Sequence, residues 1–287
     1  MSGWESMIET RAERLTELFD LTGRVAIVTG GAGLLGYHHG AILAAAGAHV
    51  VLLDLSAANP LMRATQLTGD YGVECIGEVA DITNEASLQD VRDRLLDRFG
   101  RIDILINNAA NNPKVEDTQG QTWSRLENFP LEVWNADIRV GLTGAFLCSR
   151  VFGAVMAARG GGVIVNVASD LAVIAPDQRL YRVEGMPEDE QPVKPVTYSV
   201  VKTALLGLTR YLATYWSNAN IRVNAISPGG VFNGQPEVFL SRLHQLIPMG
   251  RMARRDEYQG AILFLCSDAS SYMTGTNLVI DGGRSCL

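Results

Sequence analysis

A tyrosine and a lysine four residues apart are the side chains of this sequence with the clearest chemical potential. Tyr198 and Lys202 would lie on one face of a helix, because positions four apart are neighbours on a helical surface. The chain has only three lysines, Lys114, Lys194 and Lys202, so chance alone would give far less than one such pair. A phenol beside an ammonium is suited to general acid–base catalysis.

A glycine-rich stretch is typical of a pyrophosphate-binding turn. Gly30, Gly33 and Gly36 follow an apolar run, Val25–Thr29, and open a helical pattern. Glycines let the backbone approach phosphate oxygens at a helix N-terminus, where free N–H groups favour an anion. Asp54 ends the next apolar run, where its carboxylate would accept the ribose hydroxyls of an adenosine and repel a 2′-phosphate. The sequence therefore predicts NAD(H) rather than NADP(H) as the cofactor.

Together these residues predict hydride transfer assisted by a base. A phenol has an ordinary pKa near 10, and we expect the nearby ammonium and an oxidised nicotinamide to lower the pKa of Tyr198. The phenolate would take the proton of a substrate hydroxyl while the hydride leaves the carbon. Ser169 follows the apolar run Val163–Val167 and could orient the substrate oxygen.

Alternating strand and helix patterns must position these groups. Short apolar runs predict strands at Val25–Thr29, Val50–Asp54, Val73–Val79, Ile102–Asn107, Val163–Val167, Ile221–Ile226 and Leu278–Ile280. Helical patterns lie between most of them, at Leu35–Ala46, Glu85–Phe99, Leu131–Ala158, Val196–Trp216 and Glu257–Cys266. The runs are apolar throughout, as expected of strands buried on two sides. The predicted fold is an α/β, Rossmann-like, doubly wound parallel sheet with helices on both faces.

Two segments fall outside this alternation. Residues 1–20 have an amphipathic pattern with Leu15, Leu18 and Phe19 on one side. Residues 170–197 contain four of the ten prolines, and so long an irregular stretch is typical of a functional lid or a flexible excursion. We expect an N-terminal arm at 1–20 and one domain at 21–287 with a lid-like insertion at 170–197.

Composition excludes several other classes of protein. The chain has 287 residues, 47% of them hydrophobic, which is enough for a core, and its net charge of −7 argues against a nucleic-acid surface. The cysteines lack metal-ligand or redox spacing, so we expect reduced thiols, no metal and a cytoplasmic location; they are Cys75, Cys148, Cys266 and Cys286. Residues 25–53 carry no charged side chain, yet their glycines and histidines favour a buried βαβ unit over a membrane span.

Further motifs complete a resemblance to a known family. Besides the features above, the chain contains Asp81-Ile82, Asn107-Asn108-Ala109-Ala110, Ile221-Arg222-Val223-Asn224, Pro228-Gly229, Thr274-Gly275 and Asp281-Gly282-Gly283. From about Leu21 to Gly283 the sequence resembles the short-chain dehydrogenase/reductase family, in its shorter single-domain branch. The resemblance implies a seven-stranded parallel sheet, NAD(P)(H)-dependent interconversion of alcohol and ketone, and usually a homotetramer.

The resemblance also assigns roles to individual residues. It implies Tyr198 as the acid/base, Lys202 as the residue that holds the nicotinamide ribose, and Ser169 as the residue that orients the substrate oxygen. The cofactor-binding set that we expect is Gly30, Gly33, Leu35, Gly36, Asp54, Asp81, Ile82, Asn107, Ala109, Tyr198, Lys202, Pro228, Val231 and Asn233. Asp81 would face the adenine, and Asn107 would support the cofactor site.

Four positions depart from the family pattern. Leu34 stands where this branch has a glycine, so the spacing of the three turn glycines is similar to that of the longer, sugar-nucleotide-modifying branch. Gly141 replaces a proton-relay asparagine, and the relay from Lys202 then needs water or another side chain. Asn233 replaces a threonine and could still hydrogen-bond the cofactor. The interval of 29 residues from Ser169 to Tyr198 is about twice that of the family.

The loops after the central strands predict a polar substrate. Hydrogen-bonding side chains there are Asn111, Asn112, Lys114, Gln178, Arg179, Tyr181, Asn233 and Gln235, which suits a polyhydroxylated substrate such as a sugar derivative. The stretch from Pro195 to Tyr198 is similar to oxidoreductases of surface-sugar and flagellin glycan biosynthesis. Two alternatives remain open, a sugar epimerase or dehydratase with tightly bound NAD and a non-catalytic NAD-binding protein. Self-association through Leu131–Ala158 and Val196–Trp216 is also expected from the resemblance.

Overall fold

Seven parallel strands form one sheet in the computed structural model, which describes residues 13–111 and 122–287. The strands are β1 (Val25–Thr29), β2 (His49–Asp54), β3 (Cys75–Val79), β4 (Ile104–Asn107), β5 (Gly162–Val167), β6 (Ile221–Pro228) and β7 (Asn277–Ile280). They lie in the order β3-β2-β1-β4-β5-β6-β7, and each neighbouring pair is parallel. The predicted fold class is confirmed, and every strand ends within two residues of its predicted bounds.

Helices cover both faces of the sheet. They are α1 (Leu34–Ala45), α2 (Pro60–Tyr71), α3 (Glu85–Phe99), α4 (Leu131–Ile138), α5 (Ala145–Arg159), α6 (Val196–Tyr215), α7 (Glu237–His244) and α8 (Gln259–Cys266). Successive strand residues face opposite sides, so Ala26 and Val28 pack with α1, α2 and α8, while Val25 and Ile27 pack with α3, α5 and α6. This two-sided burial explains why the strands are apolar throughout.

Two helices of the described residues were not predicted from the sequence. No helix was expected between β2 and β3 or between β6 and α8, where the structure has α2 and α7. The local signals for α2 are nevertheless present. Asn59 caps its first turn by accepting a hydrogen bond from the Met62 N–H, Pro60 is its first residue, and Gly72 ends it in a left-handed conformation. Helix α2 is therefore specified by its own ends.

The predicted helix Leu131–Ala158 is not a regular α-helix over its whole length. Between α4 and α5 the residues Arg139–Gly144 form a π-helical segment. A side chain at Gly141 would approach Val201, and one at Gly144 would approach Ile82, because the backbone lies close to both neighbours. Such π segments in helices often occur at functional sites.

One helical stretch in the described residues, Leu131–Arg159, is long and apolar enough to cross a membrane by length and composition alone. More than half of its most apolar window is buried inside the protein, as is common for a core helix. Phe152 and Met156, for example, are fully buried with residues of the sheet and of α3.

The two segments outside the strand–helix alternation differ in how they are held. Residues 13–19 are helical, with Leu15 and Leu18 exposed, and the rest of the predicted amphipathic arm lies outside the described residues. The insertion at 170–197 contains two short 3₁₀ helices, Asp170–Ala172 and Gln178–Tyr181. Leu180 is buried in a small apolar cluster with α7 and the residues that follow it. The predicted domain boundaries stay a prediction.

The sheet order places a crevice at the carboxyl ends of β1 and β4. The chain runs outward from β1 to β3 on one side and from β4 to β7 on the other. In open parallel sheets, ligands bind where the strand order reverses in this way.

Candidate active site

A cavity of about 900 Å³ lies at this crevice, and most of the predicted site residues line it. From the predicted catalytic and cofactor-binding sets, its wall contains Gly30, Gly33, Leu35, Asp54, Asp81, Ile82, Ala109, Ser169, Tyr198, Lys202, Pro228, Val231 and Asn233. Residues separated by up to two hundred positions in the chain thus meet at one edge of the sheet. A volume of this size lies within the ordinary range of ligand-binding clefts, about 300–1,000 Å³.

The turn after β1 has the geometry that a pyrophosphate requires. Gly30 has a positive φ of 60°, and a side chain there would approach the backbone of Ala109. A side chain at Gly36 would lie 2.1 Å from the Gly30 carbonyl oxygen. Gly33 precedes the first turn of α1, which contains no acidic residue, and Leu34 follows it on the cavity wall. The turn can therefore present helix N–H groups to a phosphate.

Asp54 is held at the end of β2, beside the glycine turn. Its carboxylate accepts hydrogen bonds from the Ala32 N–H at 3.0 Å and from the Leu55 N–H at 2.8 Å. The basic side chains on the described part of the wall are Lys194, Lys202 and Arg284, which belong to the catalytic end. At the end near Asp54 the described wall thus carries acidic rather than basic side chains, with Asp81 as the second acid.

Two predicted cofactor residues lie behind the wall. Gly36 supports the turn from below, as its close contact with Gly30 shows. Asn107 is buried and donates to Ser149 Oγ at 3.1 Å and to Asn166 Oδ1 at 2.9 Å. Next to it, the Asn108 side chain donates to the carbonyl oxygen of Gly30 at 3.1 Å. These residues join the end of β4 to the glycine turn and support the site indirectly.

The catalytic candidates are brought together by α6 and by the end of β5. Lys202 is buried and donates from Nζ to the Val167 carbonyl oxygen at 2.7 Å. Its Nζ atom lies 5.9 Å from the centre of the Tyr198 ring, and Lys194 Nζ lies 3.9 Å from the same centre. Ser169 is also buried and hydrogen-bonds with Tyr198. The spacing on α6 thus places the Lys202 ammonium near the phenol, and the segment just before α6 adds the Lys194 ammonium.

Burial shifts the pKa values of the two central groups. It raises the pKa of Tyr198 above its ordinary value; the hydrogen bond with Ser169 lowers it and the charge of Asp170 raises it further. The lowering of the Tyr198 pKa that was expected from Lys202 is not found among the protein's own groups, where burial is the largest cause of the shift. Burial, assisted by the charge of Lys194, lowers the pKa of Lys202 to about 8.

An ion pair beside Ser169 was missed by sequence reasoning. Asp170 Oδ1 accepts hydrogen bonds from the Ser169 hydroxyl and from the Leu171 N–H, each at 2.8 Å. Asp170 Oδ2 accepts from Arg284 Nη1 at 2.8 Å, and the two side chains are only 5% and 10% exposed. The partners are 114 residues apart, so no local pattern could have indicated the contact.

The substrate end of the wall is less polar than expected. Asn111, Tyr181, Asn233 and Gln235 line the cavity as predicted, whereas Gln178 and Arg179 are not part of the wall. Gln178 accepts from the Lys194 N–H, and Arg179 points outward and pairs with Asp177. Asn112 and Lys114 lie outside the described residues. Apolar side chains from the insertion, from α7 and from the residues that follow α7 complete the wall; they are Leu180, Phe239, Leu243 and Met252.

The loop after β6 closes the site from the remaining side. The Tyr258 hydroxyl donates to the Gly229 carbonyl oxygen at 3.0 Å and holds the turn after Pro228. Asn233 lies on the wall, but its amide oxygen already accepts from Arg255 at 2.7 Å. A cofactor contact of Asn233 would then use its amide N–H₂ group.

The arrangement fits a nicotinamide dinucleotide. The glycine turn could receive the pyrophosphate, Asp54 the adenosine ribose, and Lys202 with Tyr198 the nicotinamide ribose. When bound, NAD(P) accepts a hydride during oxidation and donates one during reduction. Tyr198 could then move a proton at the substrate oxygen, and Ser169 could hold that oxygen in place. Within the described ranges no cluster of three or more possible metal ligands occurs.

The known proteins that this chain resembles are dehydrogenases and reductases. A family model described as short chain dehydrogenase matches residues 24–181, and one described as enoyl-(acyl carrier protein) reductase matches residues 189–285. The chain is 36% identical over 281 residues to a D-threitol dehydrogenase of Mycolicibacterium smegmatis, covering 96% of this chain and 98% of that protein. It is 33% identical over 270 residues to an NAD-dependent glycerol dehydrogenase of Listeria innocua, covering 92% and 95% of the two chains.

A solved structure agrees in fold as well as in sequence. The gluconate 5-dehydrogenase of Burkholderia cenocepacia, in complex with NADP and tartrate, superposes with a TM-score of 0.82 at 28% identity. The alignment covers 95% of this chain and 99% of that one. With the glycine turn, the tyrosine–lysine pair and the seven-stranded sheet already in place, these matches show that the chain is an alcohol/ketone oxidoreductase that belongs to the short-chain dehydrogenase/reductase family.

Proposed function

We propose that this oxidoreductase uses NAD(H) and oxidises a secondary alcohol of a small polyol to the ketone. The observation that carries the cofactor preference is Asp54, whose carboxylate is fixed by two backbone N–H groups at the adenosine end of the cavity. An ionised carboxylate there attracts the two ribose hydroxyls and repels a 2′-phosphate. The relatives include both NAD- and NADP-dependent enzymes, so the choice rests on this chain's own residues.

The polyol proposal is supported by the wall of the cavity and by the relatives. Asn111, Tyr181 and Gln235 offer hydrogen-bonding groups to several hydroxyls. Leu180, Phe239 and Met252 offer apolar surface to the carbon chain. The relatives named above act on threitol, glycerol and gluconate, which are all small and polyhydroxylated. A polyol is therefore the substrate class we assign.

Steady-state kinetics with NAD and NADP across a panel of tetritols, pentitols and hexitols test the proposal. We expect kcat/KM to be at least tenfold higher with NAD, since a repelled phosphate costs more than about 1.4 kcal/mol. Asp54→Ser should reduce this preference, and Tyr198→Phe should abolish turnover while NAD still binds. Tyr71→Phe, an exposed position on α2, is the matched control. Preference for NADP in the unaltered protein would contradict the cofactor assignment, and turnover by Tyr198→Phe would remove that residue from catalysis.

We also infer that copies of the chain associate through α5 and α6. These helices carry exposed aromatic side chains, among them Phe146 on α5 and the stacked pair Tyr211 and Tyr215 on α6. Apolar surface on helices that otherwise pack into the core is commonly covered by a partner subunit. Sedimentation velocity would measure the assembly, and a monomer at micromolar concentration would contradict the inference.

A reducing, cytoplasmic location is supported by the cysteines. Cys75, Cys148 and Cys266 are buried and free, and Cys286 is exposed and free. Exposed thiols persist in reducing compartments. Cell fractionation followed by thiol titration would check the location.

A further inference from the structure

A buried carboxylate lies next to the catalytic tyrosine and is not used by the chemistry described so far. Asp137, in the last turn of α4, is only 7% exposed. It accepts a hydrogen bond from the Thr197 hydroxyl at 2.5 Å, and Thr197 directly precedes Tyr198. A carboxylate can accept several hydrogen bonds, so the contact with Thr197 leaves capacity for another donor.

This carboxylate borders a small cavity behind the catalytic residues. Asn111, Asp137, Gly141, Thr197, Tyr198 and Lys202 are among the residues that line it. It offers about 10 Å³ to the centre of a water molecule, which is the room that one buried water needs. Carboxylate, hydroxyl, phenol and ammonium groups would give that water its partners.

Gly141 leaves room for this cavity. A side chain at this position would come within 2.5 Å of Val201 Cγ1, so a larger residue would require Val201 to shift. Glycine itself offers no side chain that could reach Lys202. Asp137 lies four positions earlier on the same helical stretch. Among the residues that the structure describes, it is the acidic residue on the wall of this cavity.

Each oxidation leaves a proton at the tyrosine that must depart before the next turnover. The alcohol loses a hydride from carbon and a proton from oxygen, so ketone, reduced cofactor and one proton are formed. The proton bound by Tyr198 has to reach solvent if the phenolate is to form again. The cavity connects Tyr198 and Lys202 with Asn111, which is exposed.

We propose that Asp137 is the proton-relay residue of this enzyme. A water in the small cavity takes the proton on the side of Tyr198 and Lys202 and gives one to the Asp137 carboxylate, which releases it towards solvent past Asn111. Thr197 orients the carboxylate through its hydroxyl hydrogen bond. The direction of transfer reverses when a ketone is reduced. The proposal rests on the alcohol oxidation described above, and on neither the choice of NAD nor the identity of the polyol.

The electrostatics of the cavity agree with this role. Burial, assisted by the charge of Lys194, lowers the pKa of Lys202 to about 8. An ammonium group with a pKa near neutral can pass a proton to a neighbouring water and regain it within a turnover.

Removing the carboxylate while keeping its shape tests the relay. Asp137→Asn should lower kcat for alcohol oxidation about tenfold to a hundredfold with little change in KM, because proton release becomes the slow step. The primary isotope effect with carbon-deuterated alcohol should then decrease and the solvent isotope effect increase. Thr197→Val should show a weaker form of the same change. Glu132→Gln, at an exposed position on α4, is the matched control.

Chemical rescue distinguishes a relay from a structural role. In Asp137→Ala, added formate should occupy the enlarged cavity and raise the kcat of the variant at least several-fold. Added chloride should leave that kcat unchanged. A kcat for Asp137→Asn equal to that of the unaltered protein would overturn the proposal. So would a loss in Asp137→Ala that formate does not restore and that leaves both isotope effects unchanged.

A crystal structure of the unaltered protein provides a readout that does not depend on turnover. It should show a water within hydrogen-bond distance of both Lys202 Nζ and an Asp137 carboxylate oxygen. A dry cavity would overturn the relay even if the enzyme oxidises polyols. If no polyol were oxidised with either cofactor, the substrate assignment would fail, and the presence of this water would still decide whether the relay stands.

Discussion

Ser169 is held by a chain of contacts that extends to the C-terminal segment. Its hydroxyl donates to Asp170, and Asp170 pairs with Arg284, which follows the glycine turn at Gly282 and Gly283. Asp281 fixes that turn by accepting hydrogen bonds from two backbone N–H groups. A buried carboxylate requires a compensating charge, so Arg284 partly offsets the Asp170 charge, which opposes a phenolate at Tyr198.

Removal of Arg284 should therefore shift the pH dependence of the reaction. The charge of Asp170 raises the pKa of Tyr198, so an uncompensated Asp170 in Arg284→Met should raise it further. Oxidation needs the phenolate, and the acidic limb of the kcat/KM profile should move to higher pH. Loss of the partner of a buried charge should also cost about 3–5 kcal/mol of unfolding free energy.

A matched set of variants checks the origin of that shift. Arg284→Lys should keep much of the original profile, and the double variant Asp170→Asn with Arg284→Met should restore the position of the acidic limb. Arg92→Met removes an exposed ion pair and should change neither quantity. If the acidic limb of the kcat/KM profile did not shift in Arg284→Met, the charge of Asp170 would have no effect on the pKa of Tyr198.

Single residues were predictable from sequence when their function follows from local spacing. Tyr198 and Lys202 are close in the chain, and one helical turn suffices to bring them together. The Asp170–Arg284 pair could not be predicted, because it depends on how β5 and the C-terminal segment meet. The raised pKa of Tyr198 was also beyond reach, since burial is a property of the folded chain.

At the scale of elements, the insertion at 170–197 is ordered by polar contacts within itself and with the body of the protein. The Gln191 side chain accepts from the Val183 N–H and donates to the carbonyl oxygens of Val183 and Met186. Arg242 of α7 donates to the Arg182 carbonyl oxygen at 2.6 Å. Since Asp177, Leu180 and Tyr181 line the large cavity, these contacts keep the substrate wall in place.

Loosening this insertion should impair substrate binding more than cofactor binding. Gln191→Leu would leave the Val183 N–H and the Met186 carbonyl without a partner, each at a cost of about 1–3 kcal/mol if it remains buried, while the Val183 carbonyl keeps its bond from the Met186 N–H. We expect faster proteolysis within residues 170–197 and a several-fold higher KM for the polyol, with the NAD Kd unchanged. Limited proteolysis and kinetics measure both effects.

Ligands and a control variant complete that experiment. NAD together with a polyol should protect the insertion from proteolysis in the unaltered protein, as expected of a lid. Glu190→Gln, an exposed position in the same segment, should behave like the unaltered protein. Equal cleavage of Gln191→Leu and the unaltered protein would show that Gln191 does not hold the insertion.

Helix length alone did not decide which elements were predicted, since the eight-residue α8 was expected and the 12-residue α2 was missed. The 15-residue helix α3 was placed with its observed ends, whereas the eight-residue helix α7 was not recognised. The π segment between α4 and α5 was also not foreseen, because the approach of Gly141 to Val201 is a tertiary contact. The hydrophobic pattern thus predicts helices that bury one whole face, whereas tertiary packing determines where a helix departs from regular geometry.

At the scale of the whole molecule, the sheet order connects these observations. The apolar runs form seven strands, of which β1, β2, β4, β5 and β6 are largely buried. The reversal between β1 and β4 brings the glycine turn, the catalytic helix and the insertion to one edge of the sheet. The sequence was sufficient to predict this architecture, because buried parallel strands and the turn between them have strong local signatures. The polar contacts that complete the site depend on the assembled sheet.

The cost of holding Lys202 at this edge should be visible in the stability of the whole molecule. Its pKa in the fold is about 8, below the ordinary value of 10.5, so the folded state binds the lysine proton more weakly than the unfolded chain does. The charge therefore destabilises the fold by up to roughly 3 kcal/mol at pH 7, and this penalty disappears as the pH rises from about 8 to above 10.

Lys202→Met should accordingly lose catalytic activity and gain unfolding free energy at pH 7. It keeps an unbranched side chain in the buried site but removes the charge, at the cost of the hydrogen bond to Val167, about 1 kcal/mol. Urea unfolding should show a variant about 1–2 kcal/mol more stable than the unaltered protein at pH 7, from the difference of these two effects. At pH 10 the gain should vanish. Arg210→Met removes a positive charge from an exposed position of the same helix and should show no such dependence on pH. If Lys202→Met lost the same unfolding free energy at both pH values, the buried ammonium group would not be destabilising the folded state.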